Sequence, residues 1–144
     1  MCPQKAVKAF RRELTEKLRV PFNELTSSRH ELKKENRITI ITHTSYKNHI
    51  DYIAELKAQN KRLILLVDEA HMLQANTSKF YQLVAQTRQY YSIMWLATAT
   101  PLKNNIEGLF WMFNLLDPRI FISYPNFEKN FIITKLRKTK RTIR

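Results

Sequence analysis

Asp68-Glu69-Ala70-His71 is where side-chain type and spacing in this 144-residue chain point most directly to chemistry. The four residues follow at once on an aliphatic run, Leu63 to Val67, which reads as a strand covered on both faces. In open α/β sheets, ligands bind beyond the carboxyl ends of the strands, so these side chains are expected where a nucleotide would lie. Asp68 suits Mg²⁺ held through its water shell, since magnesium prefers oxygen ligands and keeps its waters. Glu69 suits a base that orients and deprotonates an attacking water. The plain alternative is an acidic helix N-cap stabilised by the helix dipole. Four specified residues in a row arise by chance on the order of once in 1,000 chains of this length.

Thr98-Ala99-Thr100-Pro101 ends the next apolar run, Ile93 to Ala97, read as a second buried strand. Its hydroxyls are expected beside the Asp68 loop, where they could link His71 to motion elsewhere. Taken alone, Thr-Ala-Thr-Pro is an ordinary strand-to-turn sequence.

The elements that must position these residues alternate in period. Val7, Phe10, Leu14 and Leu18 share one face of a helix that begins just after Pro3. Residues 20–36 are polar, contain Pro21, and read as a surface connection. Arg37 to Thr42 is a short strand, and Tyr46, Ile50, Ile53 and Leu56 mark a helix with Ser45 as its cap. Phe80, Leu83 and Val84 belong to a third helix, and Ile106, Leu109, Phe110 and Phe113 line a fourth that ends before Pro118. From Arg119 to Phe131, aromatic anchors without a clear period predict short helices or loops. The order implies an α/β fold, a parallel sheet with helices on both faces.

Charge separates the ends from the middle. The formal net charge is +13. Residues 1–37 hold ten lysines and arginines against five acidic residues, residues 38–134 nine against seven, and residues 135–144 six against none. The chain therefore divides into a folded domain, 1–134, and a basic tail, 135–144. A polyanionic partner, nucleic acid, is the natural reading, because each phosphate neutralised releases counterions. A solvated tail is the alternative. Cys2 is the only cysteine, and His30, His43, His49 and His71 lack metal-site spacing, so a reducing, intracellular setting (cytoplasm, nucleoid or nucleus) is expected. The aliphatic runs fall far short of the ~20 residues of a membrane helix, so no membrane association is expected. Gly108 is the only glycine, and no G-x-x-x-x-G-K-[ST] loop is present. Such a loop needs glycines, because its backbone N–H groups must turn inward around a phosphate.

VDEAH at 67–71 and LATATPLKNN at 96–105 resemble motifs II and III of superfamily-two helicases. The continuation IEGLFWMFNLLDP at 106–118, then FISYPNFEKNF, resembles the branch that contains the Snf-type chromatin remodellers. Cys2-Pro3 with the helix after it is similar to motif Ia, and Thr44-Ser45-Tyr46 to motif Ib. The resemblance implies a partial RecA-like lobe of the P-loop NTPase class, lacking the phosphate-loop strand, from an ATP-dependent DNA helicase or translocase. It implies that Asp68 and Glu69 serve hydrolysis of ATP with Mg²⁺, and that His71, Thr98 and Thr100 couple hydrolysis to movement. Pro3, Gln4, Lys5, Thr44 and Ser45 would face the nucleic-acid backbone, with double-stranded DNA as partner. The residues after His71 depart from the family pattern, being Met72, Leu73 and Gln74 where basic and polar residues are usual, and Ala99 stands where glycine is more frequent. The phosphate-loop motif would precede Cys2, and motifs IV to VI would lie on a second lobe, so a catalytically inactive fragment is expected. The alternative is a non-catalytic nucleic-acid-binding module that keeps the fold.

Overall fold

The computed structural model describes residues 1–26, 30–33, 35–102 and 106–132. The basic tail and residues 103–105 of the motif III-like stretch lie outside the described residues.

The chain opens with two extended residues, Met1 and Cys2, a 3₁₀ turn at Gln4–Ala6 and helix α1, Val7–Arg12. A π-helical turn, Glu13–Lys17, continues α1 and ends at Arg19 in the left-handed region (φ 52°). There the Leu18 N–H bonds to the Glu13 carbonyl, five residues back. The widened turn rotates Leu18 off the face that buries Val7 and Leu14, leaving it 63% exposed, contrary to the helical spacing.

Three strands follow: β1, Phe22–Leu25; β2, His30–Glu31; and β3, Ile38–Ile41. β1 pairs antiparallel with β2 and parallel with β3, with Glu24 opposite Ile40. The sequence reading of residues 20–36 as a surface connection is thus corrected: Asn23, Glu24 and Leu25 are buried. Their burial is stable because distant partners satisfy the polar groups. Glu24 receives a bidentate ion pair from Arg11 (2.8–3.1 Å), and Asn23 Oδ1 accepts from the Lys33 N–H (2.7 Å) and from Asn36 Nδ2 (3.1 Å).

Helix α2, Ile50–Ala58, begins after a 3₁₀ turn at Tyr46–His49. Ser45 makes no side-chain capping bond, so the expected cap is not there; its hydroxyl instead accepts from Thr42 Oγ1 (2.8 Å). Asn60 closes the helix in the left-handed region. Strand β4, Leu63–Asp68, pairs parallel with β5, Tyr91–Ala97, across helix α3, Lys79–Thr87, which Ser78 caps by accepting from the Tyr81 N–H. Helix α4, Ile106–Leu116, and α5, Tyr124–Phe131, complete the order. Arg88 fastens α4 to the end of α3, donating to the carbonyls of Leu115, Leu116 and Tyr91.

The fold is the expected mixed α/β arrangement, but its strands form two sheets, β2-β1-β3 and β4-β5. Met1 and Cys2 lie between them. The Met1 nitrogen donates to the Leu66 carbonyl (2.6 Å), and its carbonyl accepts from the Asp68 N–H (2.9 Å). Cys2 donates to the Ile41 carbonyl (2.9 Å) and accepts from the His43 N–H (3.0 Å), a parallel bridge to Thr42. Hydrophobic packing covers both faces unevenly. On one face Leu25, Ile41, Leu65, Val67 and Met94 pack with residues of α2, α3 and α4. On the other, Cys2 and Ile40 pack with Val7 and Leu14. That second layer stops short of β4: Ile64 is 54% exposed, Leu66 39% and Trp95 57%. The expectation that Leu63 to Val67 is covered on both faces is therefore corrected.

Candidate nucleotide and nucleic-acid edge

The parallel strands all end on one side of the molecule, and the sequence-predicted residues collect there. Asp68 is the last residue of β4, opposite Ala97 of β5. Glu69 follows in the left-handed region (φ 53°, ψ 44°), and a 3₁₀ turn, Ala70–Leu73, runs on from it. A non-glycine residue in that region costs roughly 1–2 kcal/mol, so the surrounding structure must hold it there. Buried Ala70 and Leu73, both inaccessible to solvent, anchor the turn. The reversal brings the Glu69 carboxylate to His71 Nδ1 (3.1 Å). Thr98 Oγ1 approaches the same nitrogen at 3.5 Å, a long contact. Glu69, His71 and Thr98 therefore link the ends of two adjacent strands. Thr100 is exposed, and its N–H donates to Thr98 Oγ1 (3.2 Å), shaping the turn.

The other predicted set lies at the adjoining strand ends. Pro3 is half-buried, while Gln4 and Lys5 are exposed on the 3₁₀ turn that Met1 and Cys2 lead into. Gln4, Lys5, Lys8 and Arg11 line a shallow groove beside α1, with buried Glu24 at its base. Thr44 is exposed, with its hydroxyl 3.3 Å from that of Thr42, whereas Ser45 faces inward and braces the turn.

Two residues at this edge were given no role by sequence. Gln74 Nε2 donates to the Pro101 carbonyl (2.6 Å), tying the loop after β4 to the loop after β5. His43, directly after the Cys2–Thr42 bridge, lies against Phe80 with ring centroids 4.8 Å apart. Burial holds the His43 imidazole below its ordinary pKa, with the nearby Met1 ammonium acting the same way. Among the described residues, His43 Nε2 and Gln74 Oε1 are buried without a hydrogen-bond partner. Only the departure of Gln74 from the family pattern carried a signal; His43 carried none.

Asp68 and Glu69 are the carboxylates at this edge, and among the described residues no cluster of three His, Cys, Asp or Glu side chains is placed to hold a metal ion. That donor set does not form a resident metal cage. It does fit a magnesium ion that arrives on a nucleotide, which takes one or two carboxylates and draws its other ligands from phosphate and water. Among the described residues, no helix is long and apolar enough to cross a membrane.

Comparison with known proteins bears on the fold and the family. A solved structure, the Sulfolobus solfataricus SWI2/SNF2 ATPase core in complex with dsDNA, superimposes with a TM-score of 0.64 at 20% identity, over 90% of this chain and 27% of that one. A likeness at that identity speaks for the fold. The chromodomain-helicase-DNA-binding protein 3 homolog of Caenorhabditis elegans is 40% identical over 67 residues, 46% of this chain and 4% of that protein. An uncharacterized ATP-dependent helicase of Bacillus subtilis (strain 168), YqhH, is 35% identical over 68 residues, 47% of this chain and 12% of that protein. The chain thus matches only a small part of each relative's length. The family model for the SNF2-related domain matches residues 4–144, nearly the whole sequence, and the chain belongs to that family.

Proposed function

We propose that this chain supplies part of the nucleotide-hydrolysing, DNA-contacting lobe of an ATP-driven DNA translocase. The observation that carries the reading is the Glu69–His71–Thr98 link between the ends of β4 and β5. In this reading Asp68 holds the Mg²⁺ of Mg-ATP through water, and Glu69 orients and deprotonates the attacking water. His71 senses the state of Glu69 and passes it to Thr98, and Thr100 follows through the turn that it shares with Thr98. A shift at the acid pair would thereby move the loop after β5, which Gln74 also grips.

Pro3, Gln4, Lys5 and Thr44 face the phosphate backbone of duplex DNA, with Ser45 shaping the turn that presents Thr44. Backbone contacts of this kind position the duplex without selecting its sequence. The peptide link from Met1 to Cys2 joins the two halves of the edge, since the Met1 carbonyl holds the Asp68 N–H and Pro3 starts the DNA-facing turn.

Anisotropy titration of residues 1–144 against two unrelated fluorescent duplexes, repeated at several salt concentrations, tests this. The reading expects similar affinity for both and a log K against log salt slope that falls by about 1 in Lys5→Ala, at roughly 0.9 per phosphate contact. Absence of binding at low salt, or a slope that Lys5→Ala leaves unchanged, overturns the assignment of this edge.

A further inference from the structure

We propose that Arg11 is a phosphate-binding residue of the DNA-facing edge, held in place by the buried carboxylate of Glu24. Glu24 takes one side of the guanidinium: Arg11 Nε donates to Oε2 (3.1 Å), and Nη2 donates to Oε1 (2.8 Å) and Oε2 (3.0 Å). A guanidinium carries five N–H donors in a fixed plane, so the two on Nη1 remain. Among the described residues, Glu24 is the only acceptor that Arg11 meets through its side chain. Arg11 is 41% exposed and Glu24 2%, so the outer side of the pair meets solvent while the carboxylate does not. The ion pair thus fixes the arginine rotamer before any ligand arrives, and a phosphate bound at Nη1 is spared that ordering cost.

The surroundings of the pair set the chemistry of that ligand. Arg11 and Glu24 line the groove beside α1 together with Gln4, Lys5, Val7 and Lys8. Lys5, Lys8 and Arg11 recur every three residues, which brings them to one side of the helix. Both lysines are exposed, and among the described residues neither has an acidic partner. Three cations against one carboxylate, itself already paired, suit a run of anionic groups. Glu24 precedes Leu25, where β1 ends, and Leu25 lies opposite Ile41 of β3, the strand that leads to Thr44. The groove therefore lies beside the strand ends assigned to duplex DNA, and this role rests on that assignment. Arginine suits the innermost place in the row, because its planar fork can hold a carboxylate and a phosphate at once. A lysine ammonium is a single point charge.

The test is an anisotropy titration of residues 1–144 with a fluorescent duplex across a salt series, with circular dichroism on each variant. Lys8→Ala and Arg11→Lys should each flatten the log K against log salt slope by about 1, at roughly 0.9 per phosphate contact. Arg11→Lys keeps the charge, so its loss reports the fork and not net attraction. Affinity at low salt should fall by roughly threefold to tenfold in that variant. Glu24→Gln sets the two causes against each other in sign. It leaves the protein one unit more positive, so simple attraction predicts tighter binding. An arginine released from its anchor predicts weaker binding, which is the result expected. Glu24→Gln added to Arg11→Lys should bring no further loss, because both act on one contact. If Glu24→Gln fails to fold, Arg11→Lys decides. Unchanged slope and affinity in folded Arg11→Lys, or tighter binding by folded Glu24→Gln, overturns the role of Arg11. If Lys5→Ala still lowers the slope, the edge itself stands. Absence of duplex binding at low salt overturns the edge and this role together.

Discussion

The Gln74 side chain occupies the space that a methyl group at Gly108 would need: a Cβ at 108 would stand 2.6 Å from the Gln74 Cβ and 2.8 Å from its Cγ. This contact seats α4 against the turn after Glu69. It also explains why the chain's single glycine falls inside a helix, where glycine otherwise costs ~1 kcal/mol relative to alanine. Gly108→Ala gains that propensity but overpacks a closed contact, at a cost of about 1–3 kcal/mol. The expected net loss is about 1 kcal/mol, read as a fall in Tm of roughly 2–4 °C. Adding Gln74→Ala should not restore the loss, because alanine keeps the offending Cβ. A Tm that rises in Gly108→Ala would show that the two elements separate freely.

Glu24 is 2% exposed and pairs with Arg11, which is 41% exposed. Removing one partner of a fully buried pair costs about 3–5 kcal/mol. Solvent at Arg11 screens part of this, so Arg11→Ala is expected to cost about 2 kcal/mol in urea denaturation. Arg11→Met with Glu24→Leu removes both charges and should recover most of the loss. If Arg11→Ala is neutral, water already serves the Glu24 carboxylate.

Hydrolysis of Mg-ATP by residues 1–144 alone should stay at background, with or without DNA. The charge on the β- and γ-phosphates must be neutralised as the bond breaks, and this chain carries neither a glycine-rich loop nor its lysine. A coupled phosphate-release assay measures it. Robust magnesium-dependent turnover that disappears in Glu69→Gln would show that the chain neutralises phosphate by other means.

The tail at 135–144 carries Lys135, Arg137, Lys138, Lys140, Arg141 and Arg144 with few apolar anchors. Contacts from it should go to phosphates. If three or four engage duplex DNA, deleting 135–144 should flatten the log K against log salt slope by about 3, equally on unrelated sequences. An unchanged slope would assign the charge to another partner.

The edge was legible in the sequence because its signals are local. An aliphatic run ending in Asp68-Glu69 and another ending in Thr98 fix strand, terminus and neighbour together, and the parallel pairing of β4 with β5 follows. β1 was not legible because its burial depends on partners remote in sequence. Asn23 and Glu24 look like surface residues until Arg11, Lys33 and Asn36 are placed around them. The bare face of β4 was hidden for a related reason. Ile64, Leu65, Leu66 and Val67 are equally apolar as letters, and only the arrangement of α1 relative to α2 and α3 decides which alternate pair meets water.

The left-handed backbone at Glu69 sets stability and chemistry against each other at a single peptide. Glycine adopts that conformation freely, and glutamate does so at a cost. As a folding unit the chain would gain from glycine at 69, yet it would lose the carboxylate that reaches His71. A search for more stable variants would therefore be drawn to position 69 and would discard the group on which the proposed reaction depends. On the proposed reading, thermal tolerance and the chemistry of the carboxylate make opposing demands on this one position.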